Sequence, residues 1–158
     1  MATQRHFNNT LSLSFPDGFH VMDNDERQKL NMLADGPGVC LTAQEEHIII
    51  SIGWKELGLF PALLVSAKDA ADNSQKTISQ AMQPYGFQFR ETFAEEIGGE
   101  KAPGFSYEYE AQGIAMHGET CVVKHNKVLY YLHIYMRREL KEESTKIWKD
   151  ILATAKWE

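Results

Sequence analysis

The chain predicts an α+β fold, a three-layer α/β/α sandwich around a mostly antiparallel sheet of about seven strands. Three observations lead there. The last third runs through alternating segments, Phe105-Ser106-Tyr107-Glu108-Tyr109, Gly113-Ile114-Ala115-Met116-His117 and Val128-Leu129-Tyr130-Tyr131-Leu132-His133-Ile134-Tyr135, which read as successive strands. The last of these is bulky on both sides, with Val128, Tyr130, Leu132, Ile134 and Met136 on one face and Leu129, Tyr131, His133 and Tyr135 on the other, so both faces should be covered. Finally, residues 139 to 157 place Leu140, Ile147, Trp148, Ile151, Leu152 and Ala155 on one helical stripe opposite Lys and Glu, a helix suited to cover one face. Burying that stripe at about 25 cal/mol per Å² makes it part of the fold and not a tail.

The elements follow in order. Residues 1–9 are expected to form a flexible arm. Leu11-Ser12-Leu13-Ser14-Phe15 alternates with period two, Pro16-Asp17-Gly18 is a turn, and Phe19-His20-Val21-Met22 resumes an extended run, which together predict a hairpin. Asp23 or Asn24 can cap a first helix whose opening turn holds Asp25 and Glu26, whose stripe is Leu30 and Leu33, and which Gly36-Pro37-Gly38 stops. Gly38-Val39-Cys40-Leu41-Thr42-Ala43 and His47-Ile48-Ile49-Ile50-Ser51-Ile52-Gly53-Trp54 form a second hairpin across Gln44-Glu45-Glu46. The Ile-rich run lacks alternation, which places it centrally in the sheet.

Residues 57–66, with Gly58 and Pro61, fit either a loop with exposed apolar residues or a short helix at Ala62-Leu63-Leu64-Val65. Residues 69–82 carry Ala70, Ala71, Ile78, Ala81 and Met82 near helical spacing, and Pro84 ends that helix. Phe87-Gln88-Phe89-Arg90-Glu91-Thr92-Phe93 alternates as a strand, and Ile97-Gly98-Gly99-Glu100-Lys101-Ala102-Pro103-Gly104 is expected to break it. With His125-Asn126-Lys127 as the last turn, four strands make a meander. No repeat or linker divides the 158 residues, so one domain over 1–158 is expected.

Charge narrows the function. Lys and Arg number 16 against 22 Asp and Glu, and the net charge of −6 would repel a phosphate backbone. The cations are not gathered either: Lys141, Lys146 and Lys149 alternate with Glu142, Glu143 and Asp150. No nucleic acid partner is therefore expected. No stretch approaches the ~18 apolar residues of a membrane span, and the start lacks the apolar run of a signal peptide, so no membrane partner and a cytoplasmic location are expected. Cys40 and Cys121 lie in apolar strands and read as buried reduced thiols.

Reactive chemistry is hard to find. The glycine pair Gly98-Gly99 lacks the spacing that cradles phosphate and reads as a turn. There is no Gly-x-Ser-x-Gly elbow, and neither cysteine begins a helix, so no catalytic residue is assigned and the chain reads as non-enzymatic. His117 and His133, with Glu119 and Cys121, offer the right ligand types for a metal if His133 reaches across the hairpin, but their spacing matches no metal signature, so no metal ligand and no cofactor is assigned.

Two functional readings remain. The first is a protein-binding or complex-assembly domain with an unidentified protein partner, contacted through Trp54, Leu57, Leu59 and Phe60 on an aromatic and apolar loop. The other is a small-ligand or metal-binding protein, hydrolytic chemistry included, using a cleft of Tyr107, Tyr109, His117, Glu119, Tyr131, His133 and Tyr135. A homodimer through an edge strand is a third arrangement.

Phe15-Pro16-Asp17-Gly18-Phe19, the Ile97-Gly98-Gly99 segment leading into Phe105-Ser106-Tyr107-Glu108-Tyr109, the Tyr130-Tyr131 strand and the tail Ile151-Leu152-Ala153-Thr154-Ala155-Lys156-Trp157 together resemble the PsbP-like fold family, which also includes the Mog-type Ran nucleotide-release factors. Ala155 stands where an aromatic residue is more typical. The resemblance covers nearly the whole chain from Leu11 and implies an α/β/α sandwich. Members serve as accessory or assembly proteins of photosynthetic complexes, as binders of a small GTPase, or as bacterial proteins of obscure role, and fold alone transfers none of these.

Overall fold

The computed structural model describes residues 2–29 and 37–158. Its centre is a seven-stranded antiparallel sheet in the order β3-β4-β5-β9-β8-β7-β6, built from β3 (Phe19–Val21), β4 (Gly38–Ala43), β5 (Ile48–Glu56), β6 (Gln88–Ile97), β7 (Glu100–Ala111), β8 (Ile114–His125) and β9 (Val128–Arg137). A second sheet of three strands, β1 (Thr3–Phe7), β2 (Leu11–Phe15) and β10 (Lys156–Trp157), has the order β1-β2-β10. The helices are α1 (Asn24–Lys29), α2 (Leu59–Leu64), α3 (Ala67–Ala81) and α4 (Lys141–Leu152).

The alternation read from the sequence sets the two faces of the large sheet. One face carries Leu41, Ile48, Ile50, Ile52, Val123, Tyr130, Leu132, Ile134 and Met136. These pack with Phe7, Leu11, Leu13 and Phe15 of the small sheet and with Trp148, Ile151 and Leu152 of α4. The opposite face carries Phe105, Tyr107 and Tyr109 beneath Ile78 of α3 and Met82 at its C-terminal cap, and Val122 and Leu129 beneath Ala70 and Ala71. The sandwich is thus present, with α4 and the small sheet sharing one outer layer.

Local chemistry explains several boundaries. Asp23 accepts from the backbone N–H of Glu26 at 2.8 Å and opens α1, while the predicted stripe residues Leu30 and Leu33 lie outside the described residues. Ser66 caps α3: its Oγ accepts from the Asp69 backbone N–H at 3.0 Å, and the Asp69 carboxylate accepts the Ser66 N–H in return, a capping box. At Gly118 of β8 a Cβ would collide with the Tyr107 ring, so the glycine makes room for an aromatic on the neighbouring strand.

Four expectations change. The supposed flexible arm contains β1, because Asn8 and Asn9 adopt φ of 55° and 53° and fold it back onto β2, burying Phe7. The supposed hairpin across Pro16-Asp17-Gly18 is a sheet change: β2 pairs with β1 and β10, while β3 pairs with β4. Residues 97–104, expected to be unable to continue a strand, are strand except at the turn: β6 runs to Ile97, Gly98 and Gly99, at φ of 57° and 84°, form the whole turn, and β7 already starts at Glu100. The closing helix ends at Leu152, and Trp157 belongs to β10, its indole stacked on the His125 ring at 3.9 Å. Its aromatic partner, far away in sequence, outweighs helical periodicity.

Candidate functional site

The face of α2 is the most unusual surface. Residues 57–66 hold no charged side chain, and α2 exposes Leu59 (63%), Phe60 (74%), Leu63 (76%) and Leu64 (79%) together. A helix of six residues is too short to persist alone. This one is held by Lys124 of β8, whose Nζ donates to the backbone carbonyls of Ala62 and, at 2.8 Å, Val65. Such a cation at a helix C-terminus satisfies carbonyls that have no intrahelical partner. On the preceding segment, the Leu57 N–H donates to Lys127 carbonyl oxygen at 2.7 Å. The apolar face is therefore presented by a helix anchored from the polar backbone side.

The structure divides the four predicted contact residues. Leu59 and Phe60 project from α2, whereas Trp54 packs against the main core and Leu57 against the cluster under α3. Leu63, Leu64 and the anchoring Lys124 were not among the predicted contacts. The two leucines were legible as apolar residues on an ambiguous segment, but no sequence signal tied a lysine 59 residues beyond Val65 to that carbonyl. Beside α2 lies an open cleft of about 320 Å³, with Leu57, Val65, Ala70, Leu129 and Tyr131 among its walls and Asn73 and Asp69 at its rim.

The predicted Tyr/His cleft separates into two sites on opposite faces. His133 pairs in register with Thr120, and its Nδ1 lies 2.8 Å from Thr120 Oγ1 on the α3 side. His117, Glu119 and Cys121, odd-numbered on β8, face α4. One residue of register puts His133 on the wrong side to join them. Tyr107, Tyr109 and Tyr135 also face α3, where burial pushes their phenols up, Tyr135 to about 12. Only Tyr131 and His133 of the predicted set line the larger open cleft, about 880 Å³, together with Ser51, Lys55 and Arg27. Burial pulls the His133 pKa down to about 4, although the residue also lines the cleft.

On the α4 side polar residues are grouped around His117, whose Nε2 is hydrogen-bonded while its Nδ1 has no hydrogen-bond partner. His117 is 1% exposed, with Nε2 2.9 Å from Glu119 Oε2 and Nδ1 3.4 Å from Glu108 Oε2. Arg90 donates to Glu108 Oε1 through Nε at 2.9 Å and through its terminal nitrogen at 2.6 Å, and Arg138 stands 3.5 Å away. Burial would raise the Glu108 pKa, but the Arg90 hydrogen bond and the charges of Arg138, Arg90 and His117 prevail and hold it below the usual carboxylate range. The two carboxylates occupy opposite nitrogens of one ring, so they bracket the imidazole and do not converge beside it on a common point. Among the described residues no group of three or more His, Cys, Asp or Glu side chains could hold a metal ion.

Cys40 and Cys121 are free and buried, and burial first, then the charges of Glu95 and Glu119, push the Cys121 thiol up. They lie on opposite faces of strands separated by β5 and β9, roughly 14 Å at ordinary strand spacing, beyond disulfide reach. Among the described residues no helix is long and apolar enough to cross a membrane.

No protein-family model matches the chain, and no curated protein does. Solved structures do. The chain is similar to the cyanobacterial PsbP (CyanoP) of Synechocystis sp. PCC 6803, with a TM-score of 0.73 and 14% identity over 99% of this chain and 92% of that one. It is also similar to the Ran-binding protein Mog1p of Saccharomyces cerevisiae, with a TM-score of 0.61 and 7% identity over 98% and 94%. LpqN of Mycobacterium tuberculosis, involved in cell envelope biogenesis, matches with a TM-score of 0.58 and 13% identity over 99% and 90%. The fold is PsbP-like and shared with Mog1p, as the sequence resemblance implied. At these identities the likeness speaks for the fold alone.

Proposed function

We propose that this chain is a non-enzymatic binding domain, acting in the assembly of a protein complex, and that the exposed face of α2 is its contact. The carrying observation is that Leu59, Phe60, Leu63 and Leu64 are each more than 60% exposed on one anchored helix. Isolated surface leucines are ordinary, but a contiguous apolar patch on a charge-free segment marks an interaction surface. Because tertiary contacts already hold α2, a partner that receives it meets a preorganised helix with anchors at i, i+3 and i+4, namely Phe60, Leu63 and Leu64, and little ordering entropy is lost. The shared fold supports the reading at a coarse level, since Mog1p is by its name a Ran-binding protein.

A photo-crosslinking residue at position 60 tests this in extracts of the source cells, with position 76 on exposed α3 as the control. The expected result is a discrete protein adduct from position 60 that is missing from position 76. Equal labelling from both positions, or none from position 60, overturns the proposal.

A further inference from the structure

We infer that a second copy of this chain covers α2, the two copies related by a twofold axis so that Phe60, Leu63 and Leu64 of each enter the cleft beside α2 of the other. The inference rests on α2 being the contact surface. Its first support is area. A fully exposed leucine or phenylalanine side chain offers roughly 150–200 Å², so the exposed fractions of the four α2 residues put on the order of 500 Å² of apolar surface on six residues. That is near the upper end of the ~300–600 Å² patch that a monomer ordinarily shows. Two such patches joined face to face bury about 1,000 Å² before any rim is counted, which reaches the lower bound for a specific interface.

The second support is self-complementarity. A twofold interface must be complementary to itself, so each copy has to carry both the protrusion and its receptor on the same patch. Here the protrusion is α2, and the 320 Å³ cleft directly beside it has an apolar floor of Leu57, Val65, Leu129 and Tyr131. Knob and cleft adjoin, so a single rotation can seat both knobs at once. Charge fits as well. Residues 57–66 contribute no charge, and the cleft rim mixes Lys55 with Glu56 and Asp69, so the patch itself opposes a second copy of the same sign far less than the net charge of −6 suggests. Screening within about 8 Å at physiological salt removes most of the remaining repulsion. Added salt should therefore tighten the association, the reverse of a charge-driven contact.

Sedimentation velocity of the full chain, followed over a hundredfold range of concentration, reads the outcome. The expected result is an apparent mass rising from 18.0 kDa towards twice that value. Phe60→Ser, which removes the knob, and Asn73→Trp, which obstructs the cleft, should both stay at the monomer mass; Leu64→Ser replaces Phe60→Ser should that variant fail to fold. A wild type that stays monomeric throughout overturns the inference. So does a dimer indifferent to either variant, which would point to pairing at the edge strand β6, or a monomer that floats with phosphatidylcholine vesicles in a Phe60-dependent way, which would assign α2 to a lipid surface. Crosslinking from position 60 to a different protein by a chain that is monomeric sinks the dimer while leaving the binding reading intact; absence of any adduct sinks both.

Discussion

Two regions of this molecule depart from the usual partition of residues in opposite directions. At α2 four large apolar side chains stand in water. At the α4 side of β7 and β8, a histidine and two glutamates are almost wholly enclosed. The second departure is met within the chain: Glu108 is paired with Arg90 and Arg138, and Glu119 is hydrogen-bonded to His117. The first is not met in this way, for Lys124 satisfies the backbone of α2 but nothing described covers its side chains. Buried polarity that is paired within the chain belongs to the fold, whereas exposed apolarity that is rigidly held points outward to another molecule.

The largest effect is expected at the buried cluster. His117→Ala removes a fully buried ring and its hydrogen bond to Glu119, and should cost about 2–4 kcal/mol in a urea unfolding experiment. A cost below about 1 kcal/mol would mean that the cluster does not support the fold. The next effect is acid sensitivity on the other face. His133 has a folded pKa of about 4 against about 6.5 unfolded, so the unfolded chain takes up the proton first as pH falls. Stability should be unaffected by this group well above pH 6.5, decline by about 3 kcal/mol between 6.5 and 4, and level off below. In His133→Gln that part of the acid limb should flatten, and an unchanged slope would assign the sensitivity elsewhere.

A smaller effect sharpens the outward end. Lys124→Met keeps the aliphatic stem but removes the ammonium and its two hydrogen bonds to the Ala62 and Val65 carbonyls, and should cost about 1–2 kcal/mol. Hydrogen exchange should show the amides of Ala62 and Val65, bonded to Gly58 and Pro61, losing protection ahead of the sheet. The smallest effect on stability belongs to Phe60→Ser, within about 0.5 kcal/mol by thermal unfolding at concentrations where both proteins are monomeric, because the ring has little to lose on its own chain. The same change should abolish association. Stability and binding then separate cleanly between the two regions, and a Phe60→Ser variant that unfolds readily would show that α2 belongs to the core after all.

Much of the fold was legible because strands and turns announce themselves locally. The alternation from Phe105 to Met136 and the turn at Asn126, with φ of 56°, required no knowledge of what lay across the sheet. The failures are of two kinds, local turns missed, as at Asn8-Asn9, or drawn too long, as at Gly98-Gly99, and partners distant in sequence. Trp157 leaves a helical pattern to stack on His125, and Leu11–Phe15 turns away from its next strand to pair with Thr3–Phe7. The candidate metal ligands failed on strand parity: whether His133 opposes Glu119 or Thr120 depends on a single step of register, to which residue type is blind.

The sequence by itself determined the periodicities, and hence the sheet, its two greasy faces and the helices that cover them, because burial follows the geometric repeat of each element. Only tertiary structure decided which apolar residues stayed outside and which charged ones went in. Leu63 and Leu64 carry the same hydrophobicity as Leu132, and nothing local distinguishes them. The difference arises when Lys124 fastens α2 by its backbone beyond the edge of the core, a contact between residues about sixty positions apart.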